Sequence, residues 1–266
     1  MPKVSIIMGA YNCESTLREA IDSILNQTFT DWEFIICDDA SSDSTLKILY
    51  EYREKYPNKF IILHNDKNLM LAGSLNRCLQ YASGKYVARM DADDISVKER
   101  LQKQVAFLDS HKQYDLVGSA MQSFDKNGMH NIIYCKENPT KYDLPRVTPF
   151  CHATIMMKKE AYSVIGGYTV SKKTRRTEDV DLWFKFFSHG YNGTSLQEPL
   201  YLVREDADAY KRRKLKYCFD SAFVVYNGIK KLGLPPKYYV YVIKPIISHF
   251  IPRKLKKIYR KSKDNS

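Results

Sequence analysis

The chain has 266 residues, 44% of them hydrophobic, which allows one large domain with an appendage and a sizeable core. Six cysteines stand singly, at Cys13, Cys37, Cys78, Cys135, Cys151 and Cys218; with no Cys-x-x-Cys pair they argue against a zinc site or a disulfide framework and suit a reducing cytoplasm. The net charge of +12 is uneven: Glu205 to Ser266 holds sixteen Lys or Arg against five Asp or Glu, a net of +11, and the remainder twenty-six against twenty-five, a net of +1.

A nearly neutral body with a basic end predicts an anionic partner surface, membrane or nucleic acid. No apolar run reaches the roughly 20 residues a spanning helix needs. Val4-Ser5-Ile6-Ile7-Met8 reads as a buried parallel strand rather than a signal peptide, and ends at Gly9-Ala10-Tyr11-Asn12. A helix is expected from Ser15 to Gln27, with Leu17, Ile21, Ile24 and Leu25 on one face. Strand Trp32 to Cys37 ends at Asp38-Asp39, and Ser41, Ser42 and Asp43 offer caps to a helix reaching Tyr56. Phe60 to Leu63 is a third strand, Leu71 to Ala82 a third helix.

Lys85 to Asp94 is the most informative stretch. Tyr86, Ala88 and Met90 alternate as in a strand, and Asp91, Asp93 and Asp94 lie just past its carboxyl end. Crowded carboxylates repel unless a cation joins them, and a hard Mg²⁺ or Mn²⁺ shared with phosphates does so. A solvated acidic turn is the plainer alternative. The strand–helix alternation implies an α/β fold with a mostly parallel sheet, whose ligands bind beyond the carboxyl strand ends. Tyr11, Asp39 and Asp91 then share one edge. Asp39 suits base or ribose hydroxyls, or merely a helix N-terminus.

Order then becomes mixed. Val97 to Ser110 is an amphipathic helix; Tyr114 to Phe124 and Asn131 to Cys135 are strands around the turn Asp125-Lys126-Asn127-Gly128. Cys151 to Met157 is a strand candidate, Gly166-Gly167-Tyr168 a turn, and Ser171 to Thr177 a polar, basic lid candidate. Thr177 caps a helix whose first turn carries Glu178, Asp179 and Asp181, as helix-dipole acids or with one serving as a general base. Tyr238 to Ile251 mixes aromatics and aliphatics, and Arg253, Lys254, Lys256, Lys257, Arg260, Lys261 and Lys263 follow. That composition suits the interface of an anionic leaflet; a solvated tail or a nucleic-acid arm is the alternative.

Taken in order, these motifs resemble glycosyltransferase family 2, nucleotide-sugar enzymes with the GT-A fold. The matching pieces are Val4 to Met8 with Ala10-Tyr11-Asn12, Ser23 to Thr28, Asp38 to Thr45, Ala88 to Asp94, Gly166-Gly167-Tyr168 and Glu178 to Trp183. The resemblance covers residues 3–205. It implies a GT-A catalytic domain over 1–205, with a donor half to about 95 and an acceptor half from 96; composition reads 206–266 as a basic, aromatic-rich helical membrane-association tail. It implies donor binding by Ala10, Tyr11, Asn12, Asp39, Asn76, Asp91, Ala92 and Asp93, and a Mn²⁺ or Mg²⁺ site at Asp91 and Asp93. Asp179 matches the catalytic base, with Glu178 beside it, and His152 and Arg176 are acceptor candidates.

Gly9 stands where the family commonly has Pro, which loosens the turn without removing a contact group. No Gln-x-x-Arg-Trp motif follows Trp183, and processive synthases carry it, so single-sugar transfer with inversion is expected. The resemblance implies a UDP-sugar donor, a polyprenyl-diphosphate-linked saccharide acceptor in surface polysaccharide synthesis, and no nucleic acid. It places the enzyme at the cytoplasmic face of the membrane. A nucleotidyltransferase would want a Gly-rich phosphate loop after the first strand, where Gly9 stands alone. An inactive binding module would not need Asp91, Asp93 and Asp179.

Overall fold

The computed structural model describes residues 1–205 and 215–251. The run Arg253 to Lys263 and residues 206–214 lie outside them. Four parallel strands form one side of the sheet: β1 (Val4–Ala10), β2 (Trp32–Asp38), β3 (Phe60–His64) and β4 (Tyr86–Arg89). β1 is buried on both faces, and its alternation sends Val4, Ile6 and Met8 into one apolar cluster and Ile7 into the other. Helices α1 (Leu17–Leu25), α2 (Thr45–Lys55) and α4 (Arg100–Ser110) cover the first face through Ile21, Leu49 and Leu101. Helices α3 (Met70–Tyr81), α5 (Lys159–Ile165), α6 (Glu178–Ser188) and α7 (Leu215–Lys231) cover the second.

The remaining strands are β5 (Ile95–Ser96), β6 (Leu116–Asp125), β7 (Gly128–Ile133), β8 (Met156–Lys158) and β9 (Gly193–Arg204). The sheet order is β3-β2-β1-β4-β8-β6-β9-β5, with β7 beside β6. β4 and β8 run antiparallel, while β6 and β9 run parallel across register shifts at Ala120.

Several boundaries differ from the sequence reading. Helix α4 starts at Arg100 rather than Val97, because the Val97 N–H continues the pairing of β5 by donating to the Leu200 carbonyl of β9 at 3.1 Å. Only Met156–Lys158 of the Cys151 segment is strand; His152–Thr154 is a 3-10 turn, in which Thr154 Oγ1 donates to the Cys151 carbonyl at 2.8 Å.

α7 lies beyond residue 205, in the segment expected as the tail. It buries Val224, Val225 and Ile229, and a Cβ on Gly228 would lie 2.2 Å from Phe184 Cγ. This helix therefore packs into the body. A 3-10 helix (Pro236–Ile243) and α8 (Lys244–Phe250) follow it.

Candidate active site

β2, β1 and β4 are adjacent and parallel, so their carboxyl ends bring Ala10, Asp39 and the Arg89 to Asp94 segment to one edge. The Asp39 N–H donates to the Ala10 carbonyl at 2.8 Å. Asp39 is buried, and its Oδ1 accepts from Asn65 Nδ2 and from the Leu69 N–H, both at 2.7 Å. Asn12 Oδ1 accepts from the Ser42 N–H at 2.8 Å, joining the loops after β1 and β2. A groove of about 590 Å³ opens here, lined by Ala10, Tyr11, Asp39, Met70, Arg175 and Arg176 among others. Tyr11 stands 54% exposed at its edge, as a stacking surface must.

Backbone strain gathers around this groove. Among the described residues the non-glycine positions with positive φ are Asn12, Ala40, Met70 and Arg176. Each lines the groove or neighbours a lining residue. Such conformations cost about 1–3 kcal/mol each and persist where the surroundings impose them.

The acidic run is partly neutralised from within. Arg89, the buried last residue of β4, grips Asp91 with both terminal nitrogens, Nη1 to Oδ2 at 2.7 Å and Nη2 to Oδ1. Burial opposes the Arg89 charge, but Asp91 together with the Tyr168 and Tyr201 oxygens outweighs it, so the guanidinium stays firmly protonated. The Asp91 N–H donates to Tyr201 Oη at 3.0 Å. Arg204, the last residue of β9, donates its N–H to Asp94 Oδ1 at 2.8 Å and its Nε–H to the Asp93 carbonyl at 2.9 Å. Thr16 Oγ1 donates to the Ala92 carbonyl at 2.9 Å.

Burial, then the charge of Asp91, lifts the Asp93 carboxyl above its ordinary range; Asp94, buried beside both, is pushed up to about 8. Carboxylates that resist ionisation together fit a divalent cation. Among the described residues no three His, Cys, Asp or Glu side chains converge as a metal cage. A cation shared with a diphosphate needs only one or two protein carboxylates, and Asp93 beside Asp91 supplies them.

The Arg89 charge also reaches the α6 acids. Burial raises both, the Asp179 charge adds to the rise at Glu178, and the Arg89 charge opposes it at each. Glu178 lines a second cavity of about 510 Å³, which shares Met70, Leu71, Arg175 and Arg176 with the groove. Asp179 is part of neither cavity wall.

Two candidates are placed elsewhere. Asn76 does not face the groove: Nδ2 donates to the Tyr168 carbonyl and Oδ1 accepts the Tyr168 N–H, each at 2.8 Å, which uses both ends of the amide. It fixes the Gly166-Gly167 turn, where Gly167 has φ +61° and a Cβ would approach Asn76 Oδ1 to 2.6 Å. His152 is packed among aromatic rings. Its Nε2 meets Tyr168 Oη at 2.8 Å, its ring lies 5.8 Å from that of Trp183, and burial holds the imidazole neutral. Sequence reasoning missed Arg89 and Tyr201, and read Arg204 as a phosphate contact rather than as a partner of the acidic run. The one available signal was Arg89 itself, a charge ending an otherwise apolar strand two residues before an acid.

The family model "Glycosyl transferase family 2" matches residues 5–166. The chain belongs to that family. EpsE of Bacillus subtilis strain 168, a glycosyltransferase by assignment, is 47% identical over 98% of this chain and 94% of its own. WfaP of Escherichia coli, a UDP-Glc:α-D-GlcNAc-diphosphoundecaprenol β-1,3-glucosyltransferase, is 26% identical over 94% of this chain and 96% of its own.

Among solved structures, S. aureus TarS with UDP-GlcNAc superposes with a TM-score of 0.71 at 20% identity, over 93% of this glycosyltransferase and 71% of TarS. The mannosyltransferase PcManGT of Pyrobaculum calidifontis, with GDP-Man and Mn²⁺, gives 0.63 at 20% identity over 94% and 70%. The α/β sheet is thus the GT-A arrangement that the motif order implies.

Proposed function

We propose that this glycosyltransferase moves one sugar, with inversion, from a UDP-sugar to a lipid-linked saccharide in bacterial surface polysaccharide synthesis. The observation that carries this reading is the meeting of two adjoining cavities, one lined by Tyr11 and Asp39 and the other by Glu178, with the single Arg89 charge acting on the raised carboxyls of Asp93, Glu178 and Asp179 alike. WfaP supports the acceptor class and TarS the nucleotide.

Asp39 and Tyr11 bind the nucleoside, and Ala10 and Asn12 shape the loop beneath it. Asp91 and Asp93 hold Mn²⁺ or Mg²⁺, which when bound offsets charge growing on the departing diphosphate. Asp179 takes the proton of the acceptor hydroxyl; burial raises its proton affinity, the direction a general base needs. Glu178 is the second reading for that role, because it lines the acceptor-side cavity. A donor panel tests the whole: one UDP-sugar should release UDP only with added Mn²⁺ or Mg²⁺. Release from no nucleotide-sugar, or release indifferent to metal, overturns the reading.

The same reading places the enzyme on the inner face of the cell membrane, held through its C-terminal end. Among the described residues no helix is long and apolar enough to cross a membrane. Support for peripheral attachment is the exposed Val240, Ile243, Ile247 and Phe250, just before the basic run.

A further inference from the structure

The second cavity has two kinds of wall. Leu69, Leu71, Ala72 and Val170 make one side apolar, while Lys172, Arg175 and Arg176 bring three cations to the other, and Glu178 is its one lining acid. Among the described residues neither Lys172 nor Arg175 has an ion-pair partner, whereas Lys173 between them reaches Asp220 Oδ1 at 3.4 Å. The cavity therefore carries surplus positive charge beside an apolar surface.

The basic loop is braced from behind by α7. The Arg176 guanidinium lies 5.4 Å from the Tyr217 ring, and Lys173 Nζ 5.5 Å from the Phe223 ring. Asp220, with 2% exposure, gives the Lys173 contact a buried anchor. On the same helix Phe219, Phe223 and Tyr226 recur four and three residues apart and are about half exposed, so an aromatic stripe begins where the loop ends.

Resting on the glycosyltransferase reading above, we infer that this cavity binds the diphosphate of an acceptor whose reducing end carries an apolar isoprenoid chain. Lys172, Arg175 and Arg176 take the diphosphate oxygens in charge-assisted hydrogen bonds. The chain leaves over Val170 toward the α7 stripe, and the acceptor sugar points to Glu178, Asp179 and the donor groove. Neither half of the ligand suffices: inorganic diphosphate lacks the apolar contact, and an isoprenoid alcohol lacks the charge.

Lys172 and Val170 separate this site from the donor site, because both line the second cavity and neither lines the groove. Val170 is 60% exposed and Lys172 is also exposed, so substitutions at either leave the core untouched.

Farnesyl diphosphate, farnesol and inorganic diphosphate would each be titrated into the full chain, with UDP and Mn²⁺ titrated separately. Farnesyl diphosphate should bind at least about tenfold more tightly than either fragment, and remain bound when UDP and Mn²⁺ saturate the groove. Lys172→Glu should weaken it by about tenfold, the effect of reversing one of three converging charges. Val170→Asp should weaken farnesyl diphosphate and leave inorganic diphosphate unchanged. Both variants should bind UDP as the parent does. The inference fails if UDP displaces farnesyl diphosphate, if Lys172→Glu leaves its affinity intact, or if inorganic diphosphate binds equally well. Failure of UDP to bind with Mn²⁺ would instead strike the donor reading.

Discussion

Asp93 and Asp179 face opposite demands. Asp93 sits where desolvation and a neighbouring carboxylate both resist its charge. Asp93→Ala should therefore remove nearly all sugar transfer while the apo protein melts no lower than the parent, because the substitution relieves repulsion. Transfer near the parental rate in metal-replete buffer would refute the assignment. For the base, Asp179→Asn should keep UDP affinity and lower transfer by about 10²-fold or more. If the large loss follows Glu178→Gln and not Asp179→Asn, the helix presents its other acid.

His152 gives a pH signature. Burial, then the Arg89 charge, depresses its proton affinity well below the ordinary 6.5, so the unfolded chain binds the proton more tightly. Its contribution to stability is complete above about pH 6.5 and is lost as the pH falls, by at most about 1.4 kcal/mol per pH unit. His152→Gln, which can still meet the Tyr168 hydroxyl, should flatten the fall in melting temperature between pH 7 and 5. An unchanged slope would show that His152 binds its proton equally well in the folded and unfolded chain, against the buried, depressed imidazole.

At the scale of elements, α7 decides where the chain can be cut. A chain ending at Val225 loses Ile229 and Leu234 from the core, each worth about 2–5 kcal/mol by analogy with large-to-small core substitutions. It should be insoluble or molten, whereas one ending at Ile251 should melt like the full chain. Equal melting temperatures for the two would refute the packing role of α7.

β1, β2 and β4 were legible in the sequence because short, mostly apolar runs, broken only at Ser5 and Glu33, lead into polar ends. β9 was not. Gln197, Glu198 and Pro199 interrupt it, and Pro199 falls opposite Ala120 where the register shifts. α7 was hidden for another reason: its buried residues share a sequence segment with the basic charges, and net charge reports on surface, not on packing. Asn76 shows the limit at the site, since only the fold reveals that its amide is already used by Tyr168.

For the whole molecule, the exposed side chains of α7 and α8 and the basic run beyond them fall at one end of the sequence. The full chain should sediment with anionic vesicles at low salt and be released at high salt, since each basic residue near such a surface contributes about 1 kcal/mol that salt screens. A chain ending at Ile251 should lose most of this binding while keeping its fold. Equal binding to neutral and anionic vesicles would count against the reading.

The way β9 meets the acidic run also fixes when the site can exist. Asp91, Asp93 and Asp94 are synthesised early, but Tyr201 and Arg204, which receive or donate their hydrogen bonds, lie about 110 residues later. Until that strand leaves the ribosome, the emerging chain holds three crowded acids without two of their partners. Pairing so distant in sequence is slow to form, because loop closure precedes the gain. The donor half therefore cannot complete its acidic edge on its own; that edge waits for β9 to pair.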